Sequence, residues 1–221
     1  MHSAAVTDGS RPVTPKPRTY ADAPRLSAVD TSLVDVNEIV RGAWIELEVG
    51  PGRGGFILER AASAPDAGLV GLEVRRKWAT IVDARLAKHG LASRARVFAE
   101  DAKLALPRLR PDASVRRVFV HFPDPWWKKR HHKRLVMGDL LLDEISRLLE
   151  PGGELFVQTD VEERAEEYEA LLRVDARFEP AGDVAGSARL LENPYLARSH
   201  RERRAIADGL PIHRIRFAKK R

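Results

Sequence analysis

A chain of 221 residues, 43% of them apolar, can bury one sizeable core, and its lack of cysteine excludes disulfides, thiol catalysis and Cys-ligated zinc or iron–sulfur centres. No apolar run approaches membrane-spanning length and the first residues lack an apolar signal core, so a cytoplasmic protein is expected. The net charge of +6 is uneven: the runs 128–134, 198–204 and 214–221 carry +5, +3 and +5, which leaves the rest of the chain at −7 and suggests a polyanionic partner.

Residues 1–30 are rich in Pro, Ser, Thr and Asp and are expected to form a flexible tail before a single domain over 31–221. From there strands and helices alternate. WIELEV (44–49) reads as a strand ending in glycines, and Phe56 to Ala64 as a helix. GLVGLEV (68–74) is a second strand, followed by a helix from Arg75 to His89 that stops at Gly90. ARVFAE (95–100) is a third strand with a short helix before Pro107, and VRRVFVHF (115–122) a fourth. Residues 135–150 have apolar positions at helical spacing up to Pro151-Gly152-Gly153, ELFVQT (154–159) is a fifth strand, and Val161 to Arg173 a helix. RFEPA and IHRIRF supply two further strands, seven in all. This alternation implies an α/β fold with a doubly wound, mostly parallel sheet and helices on both faces. Ligands of such sheets bind at the carboxyl ends of the strands, near the point where strand order reverses.

The loop VGPGRGG after the first strand allows a tight turn and close backbone approach to a ligand. Gly50, Gly52 and Gly55 satisfy G-x-G-x-x-G, and Glu73 follows Gly50 by 23 residues, which is compatible with a nicotinamide dinucleotide. Gly50, Gly52 and Gly54 also satisfy G-x-G-x-G, with Glu48 two residues ahead. Electrostatics separate the two readings. A pyrophosphate wants positive potential at the helix start, and Glu48 would repel it. S-adenosyl-L-methionine has no phosphate and carries a positive sulfur and ammonium, so acids around its pocket are favourable. Glu73 can accept from both ribose hydroxyls, and Asp101 from an adenine amino group. Each acid also has a plain structural use, Glu48 in a turn and Asp101 as a helix N-cap.

The segment HFPDPWWKKRHHKR (121–134) joins a stiff acidic turn to two tryptophans and a basic run. Together with LEVGPGRGG, GLEV, EDA and QTDVEERAEEY it resembles the bacterial tRNA (guanine-N7-)-methyltransferases, the TrmB family, over the chain from about Trp44 to its C-terminus. The resemblance implies a Rossmann-like class I methyltransferase fold, with S-adenosyl-L-methionine as the methyl donor and no metal. It implies methyl transfer to N7 of a guanine in the variable loop of tRNA. Glu48, Gly50, Gly52, Glu73, Asp101 and Asp124 would then line the donor pocket, with Asp124 also catalytic. Lys128 and Asp160 match positions of substrate contact, and the basic run with Arg130, His131, Lys133 and Arg134 would then grip the tRNA backbone. The family's Thr-x-x-Glu segment reads Ser199-His200-Arg201-Glu202 here, and Leu135 stands where another Arg is common. As partner it implies tRNA, and a monomer or homodimer without an obligate protein partner.

Guanine N7 has a free lone pair and no proton, so alignment matters more than base strength. Pro123 and Pro125 restrict the backbone on both sides of Asp124, whose carboxylate could stabilise the cationic product ring or accept from the guanine N1–H and amino group. Trp126 and Trp127 are candidates either for stacking on RNA or for packing. The adjacent His131 and His132 lack a spaced carboxylate or third His, so phosphate contact or packing is expected of them. A nicotinamide-dependent oxidoreductase and a non-catalytic RNA-binding protein remain the competing readings.

Overall fold

The computed structural model describes residues 20–123 and 138–221. In chain order the elements are β1 (Val34–Asp35), α1 (Val36–Ile39), β2 (Trp44–Val49), α2 (Gly55–Ser63), β3 (Ala67–Leu72), α3 (Arg76–Lys88), β4 (Ala95–Phe98) and α4 (Ala102–Ala105). A 3-10 turn (Leu106–Arg108) leads into β5 (Leu109–Arg110) and β6 (Val115–His121), and then come α5 (Asp139–Leu148), β7 (Leu149–Thr159) and α6 (Glu162–Val174). The chain ends with β8 (Phe178–Pro180), β9 (Arg189–Leu190), α7 (His200–Ala207) and β10 (His213–Lys219).

The main sheet runs in the order β4-β3-β2-β6-β7-β10-β8, with β9 pairing beside β10 as an eighth strand. Strands β4 to β7 of this path are parallel, while β10 lies antiparallel to both β7 and β8. The chain winds outward from β2 through β3 to β4 and then returns to β6 on the other side of β2. Strand order therefore reverses between β2 and β6, and the crevice beyond their carboxyl ends is where such folds bind ligands.

Side-chain alternation along each strand divides the core. Leu47, Val49, Val118, Val120, Leu155 and Val157 face Leu141, Ile145, Ala165 and Tyr168 from the helices on one side. Leu69 and Val97 face Ile57, Ala61, Val82 and Leu86 on the other. A third, aromatic cluster lies behind β6 and β7, where Phe56, Phe119, Phe156 and Tyr195 meet with ring centroids 4.7 to 6.3 Å apart.

Two expectations need correction. The tail expected over 1–30 extends too far into the chain. Ala99 N–H donates to the Pro24 carbonyl at 2.7 Å, and Arg25 Nε donates to the buried Glu100 carboxylate at 2.8 Å. Composition hides this because the segment is held by polar contacts to distant residues and not by apolar periodicity. The second difference is α7, which the sequence patterns pass over as a basic run. Its buried residues are Glu202 and Ala205, so no apolar stripe announces it. Among the described residues no helix is long and apolar enough to cross a membrane.

Candidate functional site

Strand β2 delivers Glu48 to the crevice. Its Oε1 accepts from His121 Nδ1 at 3.0 Å, and Oε2 is buried with no hydrogen-bond partner among the described residues. A carboxylate only accepts, so the His121 proton on this side sits on Nδ1. The imidazole is held among rings, 4.2 Å between centroids from Phe56 and 5.9 Å from both Phe119 and Phe156. Its Nε2 is likewise buried and unpartnered among the described residues, as are both amide atoms of Gln158, which pairs with His121 across β6 and β7. Buried polar atoms are nearly always satisfied, and leaving one without a partner costs about 1–3 kcal/mol. Such atoms gathered at three neighbouring strand ends make a polar floor suited to a ligand. An open carboxylate oxygen there suits a cationic one.

The glycine loop forms the adjacent wall. Gly50 has φ +71°, and a Cβ there would point into open space, so the loop leaves room beside Glu48. Gly54, φ +74°, is needed for a different reason: a Cβ would lie 2.4 Å from Val82 of α3. The Gly52 N–H donates to Glu73 Oε2 at 2.8 Å, and Glu73 Oε1 accepts from the Arg75 N–H at 2.9 Å and from its Nε at 3.2 Å. Glu73 thus ties the loop to the end of β3, with lone pairs remaining on each oxygen. Asp101 caps α4, its Oδ1 accepting from the Lys103 N–H at 2.9 Å, and remains exposed.

Strand β6 ends abruptly at Phe122. Its φ is +48°, a left-handed conformation that costs about 1–3 kcal/mol in a residue with a side chain, and its N–H donates to the Gln158 carbonyl at 2.6 Å. The strain redirects the chain at the crevice immediately before the buried Pro123. Asp124, Trp126, Trp127, Lys128, Arg130, His131, Lys133 and Arg134 lie outside the described residues.

The remaining expected substrate residues meet at α7. Ser199 is its N-cap, with Oγ accepting from the Glu202 N–H at 3.0 Å. The S-x-x-E spacing is the first half of a capping box, a signal of a helix start that the sequence offers. Glu202 does not complete the box. It is fully buried and accepts from Arg214 Nη2 at 3.3 Å and from Asn193 Nδ2 at 3.1 Å. Ser199 and Glu202 therefore turn their polar ends inward and fix the helix, whose exposed basic side chains are His200, Arg201, Arg203 and Arg204. Asp160, just past β7, accepts from Arg201 and so anchors the same helix start.

The sequence patterns had not singled out His121 or Gln158. The signal for His121 was present: a titratable side chain at the end of a buried strand, beside the strand that carries Glu48.

A family model described as "Putative methyltransferase" matches residues 43–215. The curated tRNA (guanine-N(7)-)-methyltransferase of Anaeromyxobacter dehalogenans (strain 2CP-C) is 44% identical over 181 residues, covering 80% of this chain and 87% of the relative. That of Myxococcus xanthus (strain DK1622) is 35% identical over 175 residues, covering 79% and 83%. Among solved structures, the 16S rRNA methyltransferase KamB superposes with a TM-score of 0.59 at 17% identity, covering 84% of this chain and 91% of that one, a likeness of fold.

Proposed function

The chain belongs to the family of tRNA (guanine-N7-)-methyltransferases, and from that premise we propose how its residues act. The reaction is methyl transfer from S-adenosyl-L-methionine to N7 of a guanine in tRNA, in our reading one in the variable loop. The donor supplies, when bound, a methyl group on a sulfonium centre. Glu48, Gly50, Gly52, Glu73, Asp101 and Asp124 would hold it. Glu48 provides the buried negative charge for its cationic end. Glu73 and Asp101 provide acceptors for its hydroxyl and amino groups.

Guanine N7 needs no proton removed, so the protein's task is to align the base and exclude water, a positioning effect that can reach about 7–11 kcal/mol. Asp124, which stands between two prolines in the sequence, accepts from the guanine edge and stabilises the charge that develops on the ring. Lys128, Arg130, His131, Lys133 and Arg134 hold the RNA backbone. Asp160, Ser199 and Glu202 contribute by fixing α7 and its exposed cations.

The observation that carries this reading is the buried Oε2 of Glu48, without a hydrogen-bond partner among the described residues, beside the glycine loop at the switch point. The same oxygen argues against a nicotinamide dinucleotide, whose pyrophosphate it would repel. The test is to incubate the protein with unmodified tRNA and methyl-labelled donor and to map the labelled base. We expect N7-methylguanine. Donor binding without that product would overturn the proposal and leave an RNA-binding role.

A further inference from the structure

The fold gathers cations that the sequence keeps far apart along one edge of the glycine loop. The Arg53 guanidinium carbon lies 5.2 Å from the centroid of the Trp78 ring, and Lys77 Nζ lies 5.4 Å from the same ring. Arg85, two turns further along α3, donates to the Arg53 carbonyl at 3.1 Å. On the other side Arg53 Nη1 is 3.1 Å from His200 Nε2, at the start of α7. The packing there is close: a Cβ on Gly55 would lie 2.9 Å from His200 N and 3.1 Å from Arg203 Nη1. Lys77, Trp78, Arg53 and His200 therefore form one strip from α3 across the loop to α7, with Arg85 beside it.

Among the described residues no carboxylate pairs with the cations of this strip. Glu73 is engaged by Arg75, Asp83 by Arg96 and Glu59 by Arg203. Arg53, Lys77 and Arg85 are exposed, and none is ion-paired with a carboxylate among the described residues. Half-buried Trp78 acts as a plate that orders two of the cations, since an indole face attracts them. At the other end the Arg53 guanidinium donates to the His200 imidazole, which fixes its position and leaves its other N–H groups available to an anion.

The location selects which anion. The strip follows the ends of β2 and β3, while the basic run 128–134 follows β6 on the other side of β2. With strands about 4.8 Å apart, the ends of β3 and β6 are roughly 10 Å from each other. One folded RNA entering the crevice beyond these strand ends can reach the strip. We propose that Arg53, Lys77, Trp78 and Arg85 form a second docking ledge for the tRNA substrate, on the β3 side of the crevice, which grips phosphodiester groups of its backbone. This rests on the reading of the protein as a tRNA methyltransferase.

The test uses the double variant Lys77→Glu/Arg85→Glu, both exposed positions on α3 outside the donor pocket. The readouts are tRNA binding against salt, S-adenosylhomocysteine binding by calorimetry, and KM and kcat for tRNA. We expect tRNA affinity to fall about tenfold or more and the slope of log K against log salt to shrink by roughly 2, since each neutralised phosphate contributes about one unit. KM should rise in parallel, with kcat at saturating tRNA and S-adenosylhomocysteine affinity unchanged. Wild-type tRNA affinity and salt slope in the variant would overturn the ledge. So would a loss of tRNA binding that comes only together with a loss of S-adenosylhomocysteine binding, which would make these residues supports of the loop. If the charge-reversed protein does not fold, Lys77→Gln/Arg85→Gln is held to the same criteria with a smaller shift. Failure of the family reading looks different: the wild-type protein would bind tRNA without methylating it.

Discussion

Glu46 and Glu48 stand two residues apart on β2, point to the same face, and are 0% and 2% exposed. Their surroundings differ completely. Glu46 accepts from Arg60 at 2.8 and 2.7 Å, from Arg117 at 3.0 Å and from the Trp44 indole at 3.0 Å. The network continues through Arg117 to Glu154 at 2.7 Å and from there to the Tyr195 hydroxyl at 3.1 Å. Burial is the strongest influence on the Glu46 carboxyl and raises its pKa. The hydrogen bonds and charge of Arg60, with the hydrogen bonds of Trp44 and Arg117, outweigh it and hold the group below the usual carboxylate range. Among the described residues Glu48 has one donor and one open oxygen. Burial of an acid is therefore a poor guide to its role. What separates a structural acid from a binding one here is whether its acceptors are filled, because a filled ion pair has nothing left for a ligand.

Substitutions along this contrast should separate stability from function. Glu46→Ala leaves the buried Arg60 without its acid and takes from Arg117 one of its two carboxylates, and should cost about 3–5 kcal/mol in urea unfolding. A Glu46→Ala protein as stable as wild type would remove the distinction drawn here. Asp124→Ala extends the comparison to the reacting end. It should lower kcat by two to three orders of magnitude, about 2.7–4 kcal/mol, with little change in tRNA affinity. Equal losses in both would mean that Asp124 only holds the RNA.

Glu48→Gln should weaken donor-product binding by about 1.5–3 kcal/mol in calorimetry while thermal unfolding stays near wild type. The opposite pattern, lost stability with intact binding, would make Glu48 a second Glu46. The smallest effect concerns pH. A carboxyl whose folded pKa is depressed contributes stability above its unfolded pKa, about 4.5, and loses it as pH falls towards the folded value. Stability of the wild-type protein should therefore decline below about pH 4.5, and Glu46→Gln should flatten that part of the curve. An unchanged acid limb in the variant would assign the decline to other carboxyls.

The legible parts of the sequence are the local ones. WIELEV matches β2 residue for residue, and the two later strands of the crevice end within one residue of expectation or coincide with it. The glycine loop is read correctly as a strand-end feature because its chemistry lies in consecutive residues. Helix α7 escaped because its inner face is a buried ion pair. The fold of residues 20–30 escaped because Arg25 and Glu100 find each other across 75 positions. For Ser199 and Glu202 the motif was visible but not its geometry. The spacing alone does not show that both polar ends turn inward.

By itself the sequence determined the alternation of strands and helices, the placing of acids and glycines at strand ends, and the division into acidic body and basic runs. These follow from periodicity and from neighbours along the chain. Only the tertiary structure decided which of two buried acids is filled and which is open among the described residues, and which basic groups share a surface. The deciding partners are remote: Arg117 is 71 residues from Glu46, His121 is 73 from Glu48, and His200 is 147 from Arg53. Parallel strand pairing and the return of the C-terminal segment bring them together, and no local pattern encodes a contact of that range.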